Sequence, residues 1–293
     1  MHDERKALSY GLAAVLCWST VATGFKLGLT VLEPIQLLFA GTCVSALVFA
    51  AVALRHGWPR RHLALREGIL FGMMNPVVYY LILFEAYDRL PAQIAQPLNY
   101  TWAIMLALLA VPVLGQRLSG RMLAGIAIGY AGVLVLLSQG RFATLPELDW
   151  LGVALAMVST VVWAGYWLAS VRSNTEPTAF MATSFCSAVP VLGLLCAAGP
   201  GLPALNADTV AYGLWVGLIE MGVTFLLWAR ALRLSAHAGR IGQLIFLSPF
   251  LSLLLIGSVL GETVQLTSWL GLGIIVAGLL VTGRPQNPTA TEG

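Results

Sequence analysis

The chain has 293 residues, of which 58% are hydrophobic and 10% are charged, against about 25% charged in an ordinary soluble domain. A soluble protein of this size could not hide so much apolar surface from water, so the composition excludes one. The net charge of +3 could suggest a nucleic-acid partner, but the charges collect at the ends of apolar segments and so argue against nucleic acid.

Ten apolar segments account for almost the whole chain. They cover residues 7–29, 34–54, 66–87, 91–114, 119–138, 149–171, 177–199, 208–231, 236–260 and 265–283. Most are about 20 residues long, the length that a helix needs to cross about 30 Å of hydrocarbon. The longest connector, about 139–148, has no room for a soluble domain. The sequence therefore predicts an all-α membrane protein with ten transmembrane helices, lying in a lipid bilayer.

The basic residues are distributed unequally between the two sides of the predicted membrane. Thirteen lie in the N-terminal tail, the C-terminal tail and the connectors on the same side, and only three, Lys26, Arg89 and Arg141, lie on the other side. Positive charge collects in cytoplasmic connectors, so both termini are predicted to be cytoplasmic. The apolar run of the first segment is too long for a signal peptide, which favours a retained helix.

The two halves of the chain resemble each other. The segment VLGQRLSGRMLAGIAIGYAGVLVL from Val113 aligns with VLGETVQLTSWLGLGIIVAGLLV from Val259, at an offset of 146 residues. This predicts a first five-helix repeat over 1–140 and a second over 141–293. An odd number of helices per repeat makes the repeats inverted, and inverted repeats place a central cavity between them, with alternating access by rocking.

The LG(E/Q) turns VLGQRLSG and VLGETVQL, each followed by a Gly-rich helix, resemble the drug/metabolite transporter superfamily, EamA type, over about residues 7–283. Within it, AQPLNYTWAIMLALLAVPVLGQRLS is similar to the fourth helix of bacterial aromatic amino-acid exporters. Gln116 departs from the Glu that is common in the family, whereas Glu262 keeps it. The resemblance implies a carrier in a bacterial-type inner (plasma) membrane.

Glu220 is the most informative candidate for the cavity. It lies near the centre of the eighth segment, where a carboxylate costs roughly 2.5–3.5 kcal/mol on insertion scales. Such a group can carry a proton or bind a cationic group. The alternative is a structural Glu that is bonded to another helix.

Further candidates are polar or aromatic residues at mid-membrane depth, several of them close to Pro76 or Pro97, which interrupt helical hydrogen bonding. The candidates are Trp18, Asn75, Tyr79, Asn99, Tyr100, Trp102, Trp163, Trp167 and Gln243. Broken helices at corresponding points of two repeats indicate a binding site. Aromatic side chains in membrane helices can instead serve packing or anchoring at the interface.

Several other kinds of site find no support. No Lys or Arg lies at mid-depth, which disfavours polyanionic cargo such as nucleotide sugars. The four cysteines form no CxxC pair, and HExxH, GxSxG and phosphate-loop motifs are missing, so we expect no enzyme activity, no metal and no cofactor. The Gly-rich fifth and tenth segments favour packing within a monomer, and pairing of two protomers is the alternative.

These observations predict a secondary transporter that exports small metabolites by alternating access. The resemblance implies amino acids as cargo, aromatic and other neutral ones. One alternative is a proton-coupled exporter of cationic drugs or metabolites. Another, of a different class, is a polytopic structural or signalling protein without cargo. For each of the two predicted carriers, the partners are a small-molecule substrate and the lipid bilayer.

Overall fold

The computed structural model describes residues 3–56, 62–115, 119–141, 147–172, 177–235, 241 and 244–282. All regular structure within these ranges is helical, and they contain no strand. The predicted all-helical class is therefore confirmed.

The described residues of the first half form eight α-helices, which differ widely in length. They are α1 (Glu4–Ser19), α2 (Val21–Leu29), α3 (Pro34–His56), α4 (His62–Gly72), α5 (Tyr79–Arg89), α6 (Ala92–Tyr100), α7 (Trp102–Leu114) and α8 (Gly120–Ser138). Those of the second half are α9 (Trp150–Arg172), α10 (Pro177–Ala198), α11 (Ala207–Leu214), α12 (Val223–Leu234), α13 (Leu247–Val259) and α14 (Leu266–Thr282).

Eight helical stretches of the described residues are long and apolar enough to cross a membrane. They correspond in chain order to the first eight predicted segments, and two shorter apolar helices, Leu244–Val259 and Leu266–Val281, lie in the ninth and tenth. The ninth segment, 236–260, is described only in part. The chain is thus a multi-pass membrane protein.

The first and fourth spans each break near their middle at a threonine. The Thr20 hydroxyl donates to the carbonyl oxygen of Cys17 at 2.6 Å, and the Thr101 hydroxyl donates to that of Leu98 at 2.7 Å. Such local side-chain bonds compete with regular helical bonding and bend helices. Thr20 therefore separates α1 from α2, and Thr101 separates α6 from α7.

The third and eighth spans each contain a π-helical segment, at Met73–Val78 and Trp215–Glu220. Pro76 lies within the first, and Gly222 (φ −120°, ψ −97°) follows the second. A π-helical turn shifts the direction of the side chains that follow it, and such turns are frequent at functional sites.

Helices α8 and α14 approach each other closely through glycines. A Cβ atom on Gly132 would lie 2.7 Å from the carbonyl oxygen of Gly271, and one on Gly271 would lie 2.8 Å from that of Gly132. Small residues permit such backbone contact between membrane helices. The Gly-rich fifth and tenth segments therefore pack against each other within the chain, although Gly273 faces open space.

The short turn between α5 and α6 is held by residues from both halves. The Glu262 carboxylate accepts hydrogen bonds from the backbone N–H groups of Ala92 at 2.9 Å and Gln93 at 3.3 Å. The Lys26 ammonium donates to the carbonyl oxygens of Tyr87 at 2.8 Å and Leu90 at 3.0 Å. These bonds satisfy backbone groups that helix ends leave open. We call Lys26, Gln93 and Glu262 the turn clamp.

The Gln93 side chain extends the turn clamp into the second half. Its Nε2 donates to the carbonyl oxygen of Thr263 at 3.0 Å, and its Oε1 accepts from the Gln265 N–H at 3.1 Å and the Ser268 hydroxyl at 2.9 Å. Glu262, in the LGE turn, thus caps a helix of the other half. Its counterpart Gln116 lies outside the described residues.

An ion-pair group lies beside this turn. Arg89 pairs with Glu85 at 2.7 Å and with Asp149 at 3.3 Å. The backbone N–H of Gly152 and the Arg89 guanidinium lower the pKa of Asp149, since both stabilise its charged form. Asp149, just before α9, is therefore joined to the end of α5.

Candidate substrate-binding cavity

A cavity of about 290 Å³ lies between the two halves of the chain. Its wall is mostly aromatic. It consists of Trp18, Val21, Phe25, Tyr79, Leu83, Tyr87, Gln96, Asn99, Tyr100, Trp102, Trp163, Trp167, Glu220, Phe225, Trp228 and Ile245. The volume is at the lower end of the range of about 300–1,000 Å³ for pockets that hold drug-sized ligands, so the space suits one small molecule.

The structure brings eight of the ten candidate residues into this wall. They are Trp18, Tyr79, Asn99, Tyr100, Trp102, Trp163, Trp167 and Glu220. Gln243 lies outside the described residues, and Asn75 is described but does not line the cavity.

Asn75 departs from the prediction because of the backbone around it. It lies four residues before Tyr79, a spacing that puts two residues on one face of a regular helix. Its φ of −144° and ψ of 114° are not helical, so the spacing of a regular helix does not apply between the two residues. The Asn75 side chain is instead buried, at 2% exposure.

The local breaks in the helices position several wall residues. Trp18 lies just before the break at Thr20, and Trp102 begins α7 directly after the break at Thr101. Tyr79 follows the first π-helical segment, and Glu220 ends the second. Each of these four side chains therefore lies where regular helical geometry is interrupted.

One side of the cavity is a stacked aromatic pair tied to polar groups. The rings of Tyr79 and Trp163 stack, with centroids 4.5 Å apart. The Asn99 Nδ2 donates to the Tyr79 hydroxyl at 3.3 Å and to the Ser159 hydroxyl at 3.2 Å. Stacking and hydrogen bonds together fix the orientation of the Tyr79 ring and the Asn99 amide.

The opposite side is built around Trp18. Its ring meets Phe225 edge-on, with centroids 5.6 Å apart, and Trp228 at 5.4 Å. Phe225 and Trp228 were not among the predicted site residues. A helical spacing of three residues between two aromatic residues on α12 was the available signal.

Other wall residues that were not predicted also lie at helical spacing. Tyr79, Leu83 and Tyr87 recur every four residues along α5, and Val21 and Phe25 are four residues apart on α2. All five line the cavity. Each stripe of four-residue spacing runs along one helix face, and of these five residues only Tyr79 was among the candidates.

Glu220 accepts a hydrogen bond at 2.8 Å from the hydroxyl of Tyr80, which lies 140 residues earlier in the chain. Tyr80 is 1% exposed and does not line the cavity. Among the ion pairs of the described residues, none includes Glu220. A neutral donor outside the wall therefore binds one oxygen of the carboxylate, while Glu220 itself lines the cavity.

The arrangement suits binding and not bond chemistry. Within the described parts of the chain, no group of three or more His, Cys, Asp or Glu could hold a metal ion. The wall offers aromatic faces, amides, hydroxyls and one carboxylate, which together can hold a small molecule with an apolar body and a polar end.

The chain matches known transporters along nearly its whole length. The model of the EamA-like transporter family matches it twice, at residues 5–138 and 150–284. The aromatic amino acid exporter YddG of Ancylobacter novellus is 28% identical over 269 residues, which cover 87% of this chain and 88% of that protein. These matches confirm the predicted resemblance, and they are with transporters, not enzymes.

Two further comparisons agree. A probable amino-acid metabolite efflux pump of Escherichia coli K12 is 24% identical, over 95% of each chain. A protein crystal structure that is 22% identical aligns with a TM-score of 0.65, over 96% of this chain and 97% of that one. The structural likeness shows a shared fold.

Proposed function

The chain belongs to the EamA-like transporter family, and we propose that it exports amino-acid metabolites, with aromatic and other neutral amino acids as its cargo. The observation that carries this proposal is the aromatic cavity between the halves, which contains one carboxylate and several amide and hydroxyl groups. Two relatives named for amino-acid or amino-acid metabolite export support it.

The cavity fits such cargo in size and chemistry. Flat apolar faces are available to a ring or a branched side chain. They belong to the stacked pair of Tyr79 and Trp163 and to the pair of Trp18 and Trp228. Glu220 can meet an ammonium, and Asn99 and Tyr100 can hydrogen-bond a carboxylate. In this proposal those residues, with Trp102 and Trp167, form the binding site.

Transport in this proposal proceeds by alternating access between two inverted five-helix repeats, 1–140 and 141–293. The third and eighth spans occupy corresponding places in the two repeats. Both carry a π-helical segment beside the cavity, and this supports the relation between the two repeats. The turn clamp joins the repeats at one end of the cavity. Rocking of one repeat against the other would break its bonds and open that end.

The proposed orientation puts both termini on the cytoplasmic side of a bacterial-type inner membrane. It rests on thirteen basic residues on that side against three on the other. The turn clamp, which contains Lys26, then lies on the outer side. In this proposal, the bonds of the turn clamp close the carrier toward the outside.

Counterflow in proteoliposomes tests the proposed function. Vesicles containing the purified protein are loaded with unlabelled L-phenylalanine and diluted into labelled L-phenylalanine, with protein-free vesicles as control. We expect transient accumulation of label, and competition by other neutral aromatic amino acids. An imposed pH gradient separates proton-coupled from uncoupled transport. The proposal is rejected if neither L-phenylalanine nor any other neutral amino acid accumulates more than in protein-free vesicles.

A further inference from the structure

Among the residues that the structure describes, the cavity wall presents an acceptor for the ammonium end of the cargo and no positively charged side chain for the carboxylate end. From this we infer that it selects cargo by the ammonium group, and that it accepts aromatic monoamines, which lack a carboxylate, as well as aromatic amino acids. This inference rests on the proposed function only in taking the cavity as the place where cargo binds.

The charge of the wall is the first argument. Glu220 is negatively charged when ionised, and none of the described residues that line the cavity is Lys, Arg or His. A cargo carboxylate would therefore meet a like charge, and the described wall offers no cation to compensate it, which is unfavourable. An ammonium group would meet an opposite charge.

The hydrogen bonding of Glu220 is the second argument. Its Oε1 accepts from the Tyr80 hydroxyl at 2.8 Å, whereas its Oε2 accepts no hydrogen bond from any side chain or backbone group that the structure describes. Gln96, also in the wall, has a buried Oε1 without a hydrogen-bond partner among those residues. Glu220 thus keeps one carboxylate oxygen for cargo, and an ammonium carries three donors.

The aromatic wall is the third argument. Trp18, Trp102, Trp163 and Trp167 line the same small space, and the face of Trp attracts cations more strongly than other aromatic rings do. These rings can stack on an aromatic cargo and favour its positive end. The ring faces offer no comparable attraction to a carboxylate.

Tyr80 is a positioning residue in this scheme. It lies outside the wall, and its ring is packed edge-on between Tyr79 at 4.7 Å and Phe84 at 5.6 Å between centroids. The fixed ring directs its hydroxyl to the Oε1 of Glu220. This leaves the other carboxylate oxygen for the cargo.

Three probes that share one phenylethyl skeleton test the inference. L-Phenylalanine carries both charged groups, phenethylamine carries only the ammonium, and 3-phenylpropionate carries only the carboxylate. Calorimetric titration of each probe into the protein in lipid nanodiscs at neutral pH gives its Kd, with empty nanodiscs as control. Binding is preferred to flux here because uncharged amines cross bilayers without a carrier.

We expect phenethylamine to bind at least as tightly as L-phenylalanine, and 3-phenylpropionate to bind about tenfold or more weakly, since a hydrogen bond to a charged group is lost. Glu220→Gln should weaken phenethylamine binding by about tenfold and leave 3-phenylpropionate unchanged or tighter. Tyr80→Phe, which keeps the ring and removes only the hydroxyl, should reduce the preference for phenethylamine over 3-phenylpropionate. A merely structural role would weaken all three probes equally.

Glu85→Gln is the matched control, because it removes one carboxylate from a residue outside the cavity wall; its Kd values should equal those of the unmodified protein. If L-phenylalanine binds and phenethylamine does not, the inference is wrong while the proposed function stands. If phenethylamine alone binds, selection by the ammonium group holds, whereas amino-acid cargo, and with it the proposed function, is rejected. Equal binding of 3-phenylpropionate and phenethylamine would also overturn the inference.

Discussion

Glu262 accepts a hydrogen bond from the backbone N–H of Ala92 at 2.9 Å, and this bond joins the two halves of the chain. Ala92 is the first residue of α6, where backbone donors have no partner within the helix. A carboxylate at a helix N-terminus also interacts favourably with the helix dipole. The LGE turn of the second half therefore serves as the cap of a helix in the first half.

Glu262→Ala should lower the free energy of unfolding by about 1–2 kcal/mol, because two backbone N–H groups lose their charged acceptor. Glu262→Gln should lower it less, since one acceptor oxygen remains. Thermal melting in detergent measures both variants. Glu147→Ala is the control, because Glu147 is an exposed carboxylate outside the spans. If Glu262→Ala melts like Glu147→Ala, the capping role is wrong.

The all-helical class and the positions of the eight long apolar spans were predictable because the bilayer constrains length and composition directly. The internal breaks were predictable only in part. Pro76 indicated an interruption in the third span, and a π-helical segment is found there. The break at Thr101 depends on the bond of its hydroxyl to the carbonyl oxygen of Leu98, and threonine is too common in helices to predict a break by itself. The π-helical segment that ends at Glu220 contains no proline, so the sequence offered no local signal for it.

The cavity residues, too, were predictable only in part. Bulky aromatic residues and Glu220 stood out at mid-depth because such groups are unusual there. Tyr80 did not, because its role depends on Glu220, which lies 140 residues away in the chain. Asn75 was assigned to the wall on helical spacing, and the non-helical backbone at that residue removes the basis of the assignment.

Two glycines on the same pair of helices provide a matched test of the packing. In Gly132→Ala the added Cβ would lie 2.7 Å from the backbone of Gly271 and Ile275, and we expect a loss of about 1–3 kcal/mol of stability. In Gly273→Ala the Cβ meets open space, and the better helix propensity should add about 0.5–1 kcal/mol. Equal melting temperatures of the two variants would contradict the proposed contact.

Labelling of single cysteines tests the proposed orientation. In a background in which Cys17, Cys43, Cys186 and Cys196 are replaced by serine, a cysteine is introduced at one of two exposed positions, as Arg55→Cys or Glu147→Cys. The charge distribution predicts that an impermeant thiol reagent labels Glu147→Cys in intact cells, and Arg55→Cys only after permeabilisation. Labelling of Arg55→Cys from outside would show that the orientation is the reverse of the predicted one.

Trp163→Ala should affect folding as well as binding. Trp163 is 8% exposed and stacks on both Tyr79 and Tyr166, and removing such a side chain costs about 3–5 kcal/mol. We therefore expect a lower melting temperature together with reduced transport. A melting temperature equal to that of the unmodified protein would show that the stack contributes little to stability.

Counterflow of labelled L-phenylalanine by the Trp102→Ala variant tests the central claim, that the cavity binds the cargo, most directly. Trp102 lines the cavity and is only partly buried, so its removal should leave the melting temperature nearly unchanged. Loss of about 0.5–1.5 kcal/mol of aromatic contact predicts a roughly two- to tenfold increase in the concentration needed for half-maximal flux. Trp150→Ala, at a residue 47% exposed and outside the cavity, should transport normally. Unchanged flux in a stable Trp102→Ala protein would contradict the claim.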